Sequence, residues 1–261
     1  MKRIVLHDGI GQIELLEHLG SDAAIVAAAR ISYTGQKMTS SDVQLLRYLM
    51  RQRHTSPFEM CELKFKVVAP IFVARQWMRH RTGCFNEQSA RYSQLDDRFY
   101  VPEPAHIGAQ SQSNRQGREA ATTELDTDAI QGAMSAVCLT AYNTYTDLLK
   151  QGVAREIARM VLPVSVYTEF IWKVNLHNLL HFCHLRADSH AQYEIQVYAK
   201  AIIEMLDVLF PATTTAWKDY VRDAVSISRP AQDVIGGRDL DATRLSQRER
   251  AELLQQIKRL N

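Results

Sequence analysis

"CELKFKVVAPIFVARQWMRHR", residues 61–81, is an alternating pattern that runs without a gap into a helical one. In its first half Cys61, Leu63, Phe65 and Val67 alternate with Glu62, Lys64 and Lys66. Successive side chains of a strand point to opposite faces, so this is a half-buried strand. Pro70 suits the first turn of a helix, where a missing N–H costs nothing, and the pattern predicts a helix through "IFVARQWMRHR". On that helix Gln76, Arg79 and His80 stand at i, i+3 and i+4 and share a face.

Toward the N-terminus, "KRIVLHD" reads as an opening strand, and Ser21-Asp22 caps an alanine-rich helix to about Ile31. "SSDVQLLRYLMRQRH" predicts a second helix, capped by Ser40 or Ser41, with Val43, Leu46 and Met50 on one face, and "HTSPF" breaks it. Toward the C-terminus, residues 102–126 turn polar and rich in Gly, Ser and Gln, the composition of a surface excursion. A helix through "AIQGAMSAVCLTAYNTYTDLLKQG" stops at Gly152, and a shorter one through "AREIARMVL" stops at Pro163. "VSVYTEFIWKVN" alternates Val164, Val166, Thr168, Phe170, Trp172 and Val174 against its other face, which predicts a second long strand. A helix from about His190 to Phe210 stops at Pro211, and the tail carries a Ser246/Glu249 capping box. No internal repeat is visible. The residues alone give an α+β fold.

The 261 residues are 46% hydrophobic and 23% charged, enough for one large domain or two small ones. Lys and Arg total 31 against 29 Asp and Glu, so any anion site must be local, and neither nucleic acid nor an anionic membrane is an expected partner. Apolar runs such as "AAIVAAA" fall far short of the roughly 20 residues of a membrane span, and the first twenty residues lack a signal peptide's apolar core. A cytoplasmic protein is expected. Cys61, Cys84, Cys138 and Cys183 are widely spaced without C-x-x-C, a pattern of reduced thiols.

Two stretches compete for the chemistry. "NLHNLLHFCHLRADSH" holds His177, His181 and His184 at helical spacing, and i, i+4 histidines can chelate zinc. No H-E-x-x-H accompanies them, so ordinary hydrogen bonding, or contact with a flat heterocycle, competes with a metal role, and no metal is expected. "RHRTGCFNEQSARY", residues 79–92, packs Arg79, Arg81 and Arg91 around Glu87, Gln88 and Ser89. Arginines can form a solvated face paired with Glu87 and Asp96, but they also present forked donors to phosphate and carbonyl edges. A carboxylate beside them suits a sugar hydroxyl. Together they ask for a nucleotide.

That second stretch resembles the signature of the flavin-dependent thymidylate synthases: R-H-R, seven residues, Ser, then Arg-Tyr after one more. Arg79, His80, Arg81, Ser89, Arg91 and Tyr92 fall in place, and "HTSPFE", "APIFVARQWMRHR", "GVAREIARMVLP" and "LRADSHAQYEIQ" are similar to further blocks of that family in the same order. The resemblance covers most of residues 1–225 and leaves 226–261 as a helical tail. One departure is Cys84, where many members carry serine. A thiol near Arg81 and His80 invites a nucleophile, but the flavin route calls for none, so it is read as one small residue replacing another.

The resemblance implies reductive methylation of dUMP to dTMP, with 5,10-methylenetetrahydrofolate giving the carbon, NADPH reducing FAD, and tetrahydrofolate leaving. It implies a mixed central sheet flanked by helices, and a homotetramer with active sites between subunits. It assigns to FAD Ser56, Arg79, His80, Arg81, Glu87, Asn175, Leu176, His177 and His181. To dUMP it assigns Gln76, Arg79, Glu87, Gln88, Ser89, Ala90, Arg91, Arg159 and Arg186, with Arg186 catalytic because it resembles the residue that steadies the uracil anion. The absence of G-x-G-x-x-G after a strand leaves FAD to side chains and neighbouring chains. The rival is a non-enzymatic nucleotide- or RNA-binding protein, which near-neutral net charge disfavours.

Overall fold

The alternating stretch becomes the middle strand of a five-stranded sheet in the computed structural model, which describes residues 1–33, 41–112, 116–119 and 125–260. The strands are β1 (Lys2–Ile4), β2 (Gln12–Leu19), β3 (Glu62–Pro70), β4 (Cys84–Glu87) and β5 (Tyr167–Asn175), ordered β1-β2-β3-β5-β4. Between β2 and β3 lie α1 (Asp22–Arg30), α2 (Asp42–Arg51) and the single turn α3 (Ser56–Glu59). α4 (Ile71–Trp77) follows β3, and α5 (Thr127–Lys150) and α6 (Arg155–Ala158) precede β5. α7 (Leu176–Arg186), α8 (Tyr193–Leu209) and α9 (Pro211–Trp217) come after it. Residues Met1–Trp217 form one compact unit. Lys218–Asn261 form another, with α10 (Arg229–Ile235) and α11 (Gln247–Leu260) around a small core of Ala231, Leu245 and Leu253.

The sheet is antiparallel throughout, which corrects the expected mixed sheet. The registers give the reason. Leu19, the end of β2, lies opposite Glu62, the start of β3, so the helices between them return the chain to the edge it left. Pro70 at the end of β3 likewise faces Tyr167 at the start of β5. Parallel neighbours would need a connection to the opposite edge.

The expected face of β3 is buried: Cys61, Leu63, Phe65 and Val67 are at most 1% exposed. β5 does the same with Thr168, Phe170, Trp172 and Val174; of the two valines that precede the strand, Val166 is buried and Val164 exposed. On the other face Lys64 pairs with Glu17, Lys66 with Glu169 and Lys173 with Glu62, at 2.7–2.9 Å. Such half-exposed cross-strand pairs contribute a few tenths of a kcal/mol each and chiefly fix register.

Capping follows the sequence closely. Ser21 accepts from Ala24 N, Ser41 forms a capping box with Gln44, and Ser246 forms one with Glu249. In α2, Leu46 and Leu49 are buried and Val43 is exposed, so the expected face is turned by one residue. The excursion holds a short 3-10 turn, Pro104–His106, and a bridge between Gln110 and Arg118; residues 113–115 and 120–124 lie outside the described residues. Cys61, Cys138 and Cys183 are buried free thiols and Cys84 an exposed one.

Candidate active site

β3 hands the chain to α4 through Pro70, extended at φ −60° and ψ 146°. α4 is short because its seventh residue, Trp77, drops into the core. There the indole meets Phe170, Trp172 and Tyr198 edge-on and Phe182 at 4.7 Å. The helix therefore ends before Arg79, so Arg79 and His80 do not share a helical face with Gln76; they lie in the turn that follows. Gly83 closes that turn against Trp172, where a Cβ would stand 2.3 Å from the indole Nε1 and 3.0 Å from the Lys173 carbonyl. The chain then pairs with β5 as β4, a strand the sequence did not signal.

The turn faces the end of α7. Arg186 Nε donates to His80 Nε2 at 2.9 Å, and Arg186 Nη2 donates to the Gln76 carbonyl at 3.3 Å. The first bond needs the Nε2 lone pair, hence a neutral imidazole with its proton on Nδ1. Burial, then the charge of Arg186 and the nearby His181, push the His80 pKa down to about 4, so the ring stays neutral. His80 is braced edge-on by Phe182 at 4.9 Å. Burial and the neighbouring Arg79 also lower the pKa of Arg186, whose charge nevertheless persists. Arg79, His80, Arg81, His181 and Arg186 line one cleft with Thr82 and Leu185. Cationic forks beside neutral imidazoles are groups chemically suited to a flat, anionic, nucleotide-like ligand.

A second cleft, of about 560 Å³, collects Glu87, Gln88, Ala90 and Arg159. Thr168 Oγ1 donates to Glu87 Oε1 at 2.6 Å, and Gln88 N donates to the Glu169 carbonyl at 2.8 Å. Ser89 shapes a turn: its Oγ accepts from Arg91 N at 3.3 Å and its carbonyl from Tyr92 N at 3.1 Å. Among the described residues no base is hydrogen-bonded to that hydroxyl, which suits a positioning group better than a nucleophile. Ala90 and Leu95 anchor this segment in a core with Tyr145, whose hydroxyl accepts from Leu95 N at 3.2 Å. Arg91 reaches Glu156 on α6 at 3.1 Å, both half-exposed.

Gln76, Ser89 and Arg91 line neither cleft, and nor do the remaining site residues Ser56, Asn175, Leu176 and His177. Ser56 opens α3, exposed, on the helix that packs against α7. Asn175 caps α7 by accepting from Asn178 N at 2.9 Å. Leu176 is fully buried and its N–H donates to the Cys61 carbonyl, so its side chain serves the core. His177 is half-buried on α7, one turn before His181. Among the described residues no three His, Cys, Asp or Glu side chains converge on a metal-sized site. No helix among them is long and apolar enough to cross a membrane.

Sequence reasoning missed three partners that fix the site residues: Gln192, which accepts from Gln76 Nε2, Thr168 on Glu87, and Glu156 on Arg91. Gln192 lies inside "LRADSHAQ", so the motif itself was the signal.

The sequence model of the family described as "Thymidylate synthase complementing protein" matches residues 14–212. The flavin-dependent thymidylate synthase of Ehrlichia ruminantium (strain Gardel) is 46% identical over 251 residues, 94% of this chain and 84% of that protein. That of Gluconobacter oxydans (strain 621H) is 49% identical over 225 residues, 84% of this chain and 73% of that one. Among solved structures, the UMP/dUMP methylase PolB from Streptomyces cacaoi bound with 5-Br dUMP aligns with a TM-score of 0.74 at 38% identity, covering 80% of this chain and 95% of that chain.

Proposed function

This chain belongs to the flavin-dependent thymidylate synthase family, and on that footing we propose that it methylates dUMP to dTMP. The carbon comes from 5,10-methylenetetrahydrofolate and the reducing equivalents from NADPH through bound FAD. The observation that carries this reading is the Arg186–His80–Gln76 junction, in which motif blocks more than a hundred residues apart close on one cleft.

FAD fits the chain's own groups. Arg79 and Arg81 offer forks for a diphosphate, while His80 and His181 are held neutral and so present aromatic faces and single donors without added charge. The assigned set is Ser56, Arg79, His80, Arg81, Glu87, Asn175, Leu176, His177 and His181, and the flavin would supply the hydride. Ser56, Asn175, Leu176 and His177 line neither of the two clefts of the single chain, which supports a homotetramer that assembles each site from neighbouring subunits. Ile157 and Met160, exposed beside Arg159, supply apolar surface for such contacts.

The protein's task is to hold and polarise. Gln88, Ser89, Ala90, Arg91 and Arg159 bind the nucleotide, with Gln76, Arg79 and Glu87 at its border with the flavin. Carbon 5 of uracil attacks only when electron density is pushed into the ring, and Arg186 stabilises that charge with a guanidinium already in place. Its hydrogen bonds to His80 and Gln76 fix the guanidinium before substrate arrives, so no reorganisation is needed as charge develops.

The test is anaerobic. NADPH-reduced protein is mixed with dUMP and methylenetetrahydrofolate, and nucleotides are separated. dTMP formed only by flavin-loaded protein is expected. A colourless protein that makes no dTMP but binds RNA with a steep salt dependence would replace this reading with the binding-protein one.

A further inference from the structure

The polar excursion after β4 ends in a clamp. His106, in the Pro104–His106 turn, stacks on Tyr193 with ring centroids 3.5 Å apart. Farther along, Arg118 Nη1 donates to Glu194 Oε1 at 3.1 Å and its guanidinium lies 5.9 Å from the Tyr193 ring centroid. Tyr100, just before the excursion, donates to the same oxygen at 3.1 Å. The two arms are tied to each other by the Gln110–Arg118 bridge and by Glu119 N donating to the Ala109 carbonyl at 2.9 Å.

Tyr193 and Glu194 are the first two residues of α8, directly after Gln192. That helix has no capping side chain at its N-terminus, so its own first turn does not fix it. The clamp takes that place. It is also not built for stability: Glu194 is 1% exposed, yet its Oε2 and Arg118 Nη2 are buried with no partner among the described residues. A buried pair left half satisfied returns little of its desolvation cost. What it does fix is the residue before it. Gln192 accepts from Gln76, whose carbonyl accepts from Arg186, while Gln196 ties the turn from below through the Ala191 carbonyl at 2.6 Å.

We propose that residues 100–112 and 116–119 form a positioning strap, in which Arg118 and His106 hold Gln192 against Gln76 and so set the dUMP side of the site. Arg118, Glu194, Tyr193 and His106 are positioning residues, not catalytic ones. The inference rests on the reading above that Gln76 and Arg186 meet dUMP.

The experiment is a double-mutant cycle on the full chain as purified, with dUMP affinity read by calorimetry and folding by thermal midpoint. Arg118→Ala is expected to weaken dUMP binding about three- to thirtyfold, within the roughly two- to 150-fold seen for coupled neighbours. In a Gln192→Ala background the same change should add less than about twofold, because the strap acts through Gln192. Arg118→Lys should recover part of the loss. If Arg118→Ala does not fold, His106→Ala, which cuts the other arm, is run through the same cycle. Unchanged dUMP affinity in the folded variant, or equal losses in both backgrounds, overturns the strap. A wild-type protein that does not bind dUMP at all overturns the functional reading, and the strap falls with it.

Discussion

Arg186 carries two separable properties, its charge and its planar fork. Arg186→Lys keeps the first and loses the second, since an ammonium cannot reproduce the paired bonds to His80 and the Gln76 carbonyl. An interaction that strengthens as charge develops is felt in turnover more than in binding. Methylation should therefore fall on the order of a hundredfold with a smaller change in dUMP affinity. Arg91→Lys, at an exposed pair with Glu156, should raise the dUMP dissociation constant and leave the saturated rate near wild type. Rapid-quench rates beside equilibrium titration separate the two, and the opposite pattern would reduce Arg186 to a binding group. His80 makes a pH prediction. Unfolded, its imidazole takes up a proton near pH 6.5, but folded only near 4, so between those values the unfolded state holds more protons. The stability it contributes is present above pH 6.5 and lost as the pH falls to 4. His80→Gln, which does not titrate, should show a shallower fall in thermal midpoint across that window. Equal slopes would mean that His80 is not held neutral by the fold.

At the scale of elements, β4 and its leading turn depend on one missing methylene. A Cβ at Gly83 would meet Trp172 and the Lys173 backbone, which cannot move without disturbing the β5 register. Gly83→Ala should cost about 1–3 kcal/mol, the usual range for overpacking, and weaken dUMP binding because Glu87 ends that strand and Gln88 follows it. A variant as stable and as tight-binding as wild type would show that the edge strand is free to shift. β3 and β5 were legible in the sequence because each buries one face, and burial writes a period of two. β2 was not: "QIELLEHL" is rich in Glu and Leu, favours a helix by propensity, and becomes a strand only by pairing with β3 through an irregularity between Leu15 and Glu17. β4 was hidden because an exposed, four-residue edge strand leaves no alternation to read. The predicted α4 ran too long for a similar reason, since where Trp77 packs is decided by residues of β5, α7 and α8.

Across the whole molecule, local patterns reach caps and core faces but not the contacts that make the site. The pairings of His80 with Arg186 and of Gln76 with Gln192 span 106 and 116 residues, and no spacing rule announces them. They entered the sequence reading only through ordered motif blocks. The proposed sharing of each site among subunits has a direct consequence: ligand and subunit binding are linked, so dilution that releases monomers should release FAD and lower the thermal midpoint together. Flavin fluorescence and light scattering on one dilution series check this, and a monomer that keeps its flavin would count against shared sites. Cys84 marks the remaining choice of chemistry, an exposed thiol on β4 opposite Lys173. In the flavin route it is a small residue and the folate leaves without being oxidised; in a thiol route it would bond to the pyrimidine and the folate would give up the hydride itself. The folate released in a single anaerobic turnover of NADPH-reduced protein with dUMP, separated and quantified against dTMP, decides between them. Tetrahydrofolate equal to dTMP, unchanged in Cys84→Ser, is the expected result; dihydrofolate equal to dTMP would contradict it.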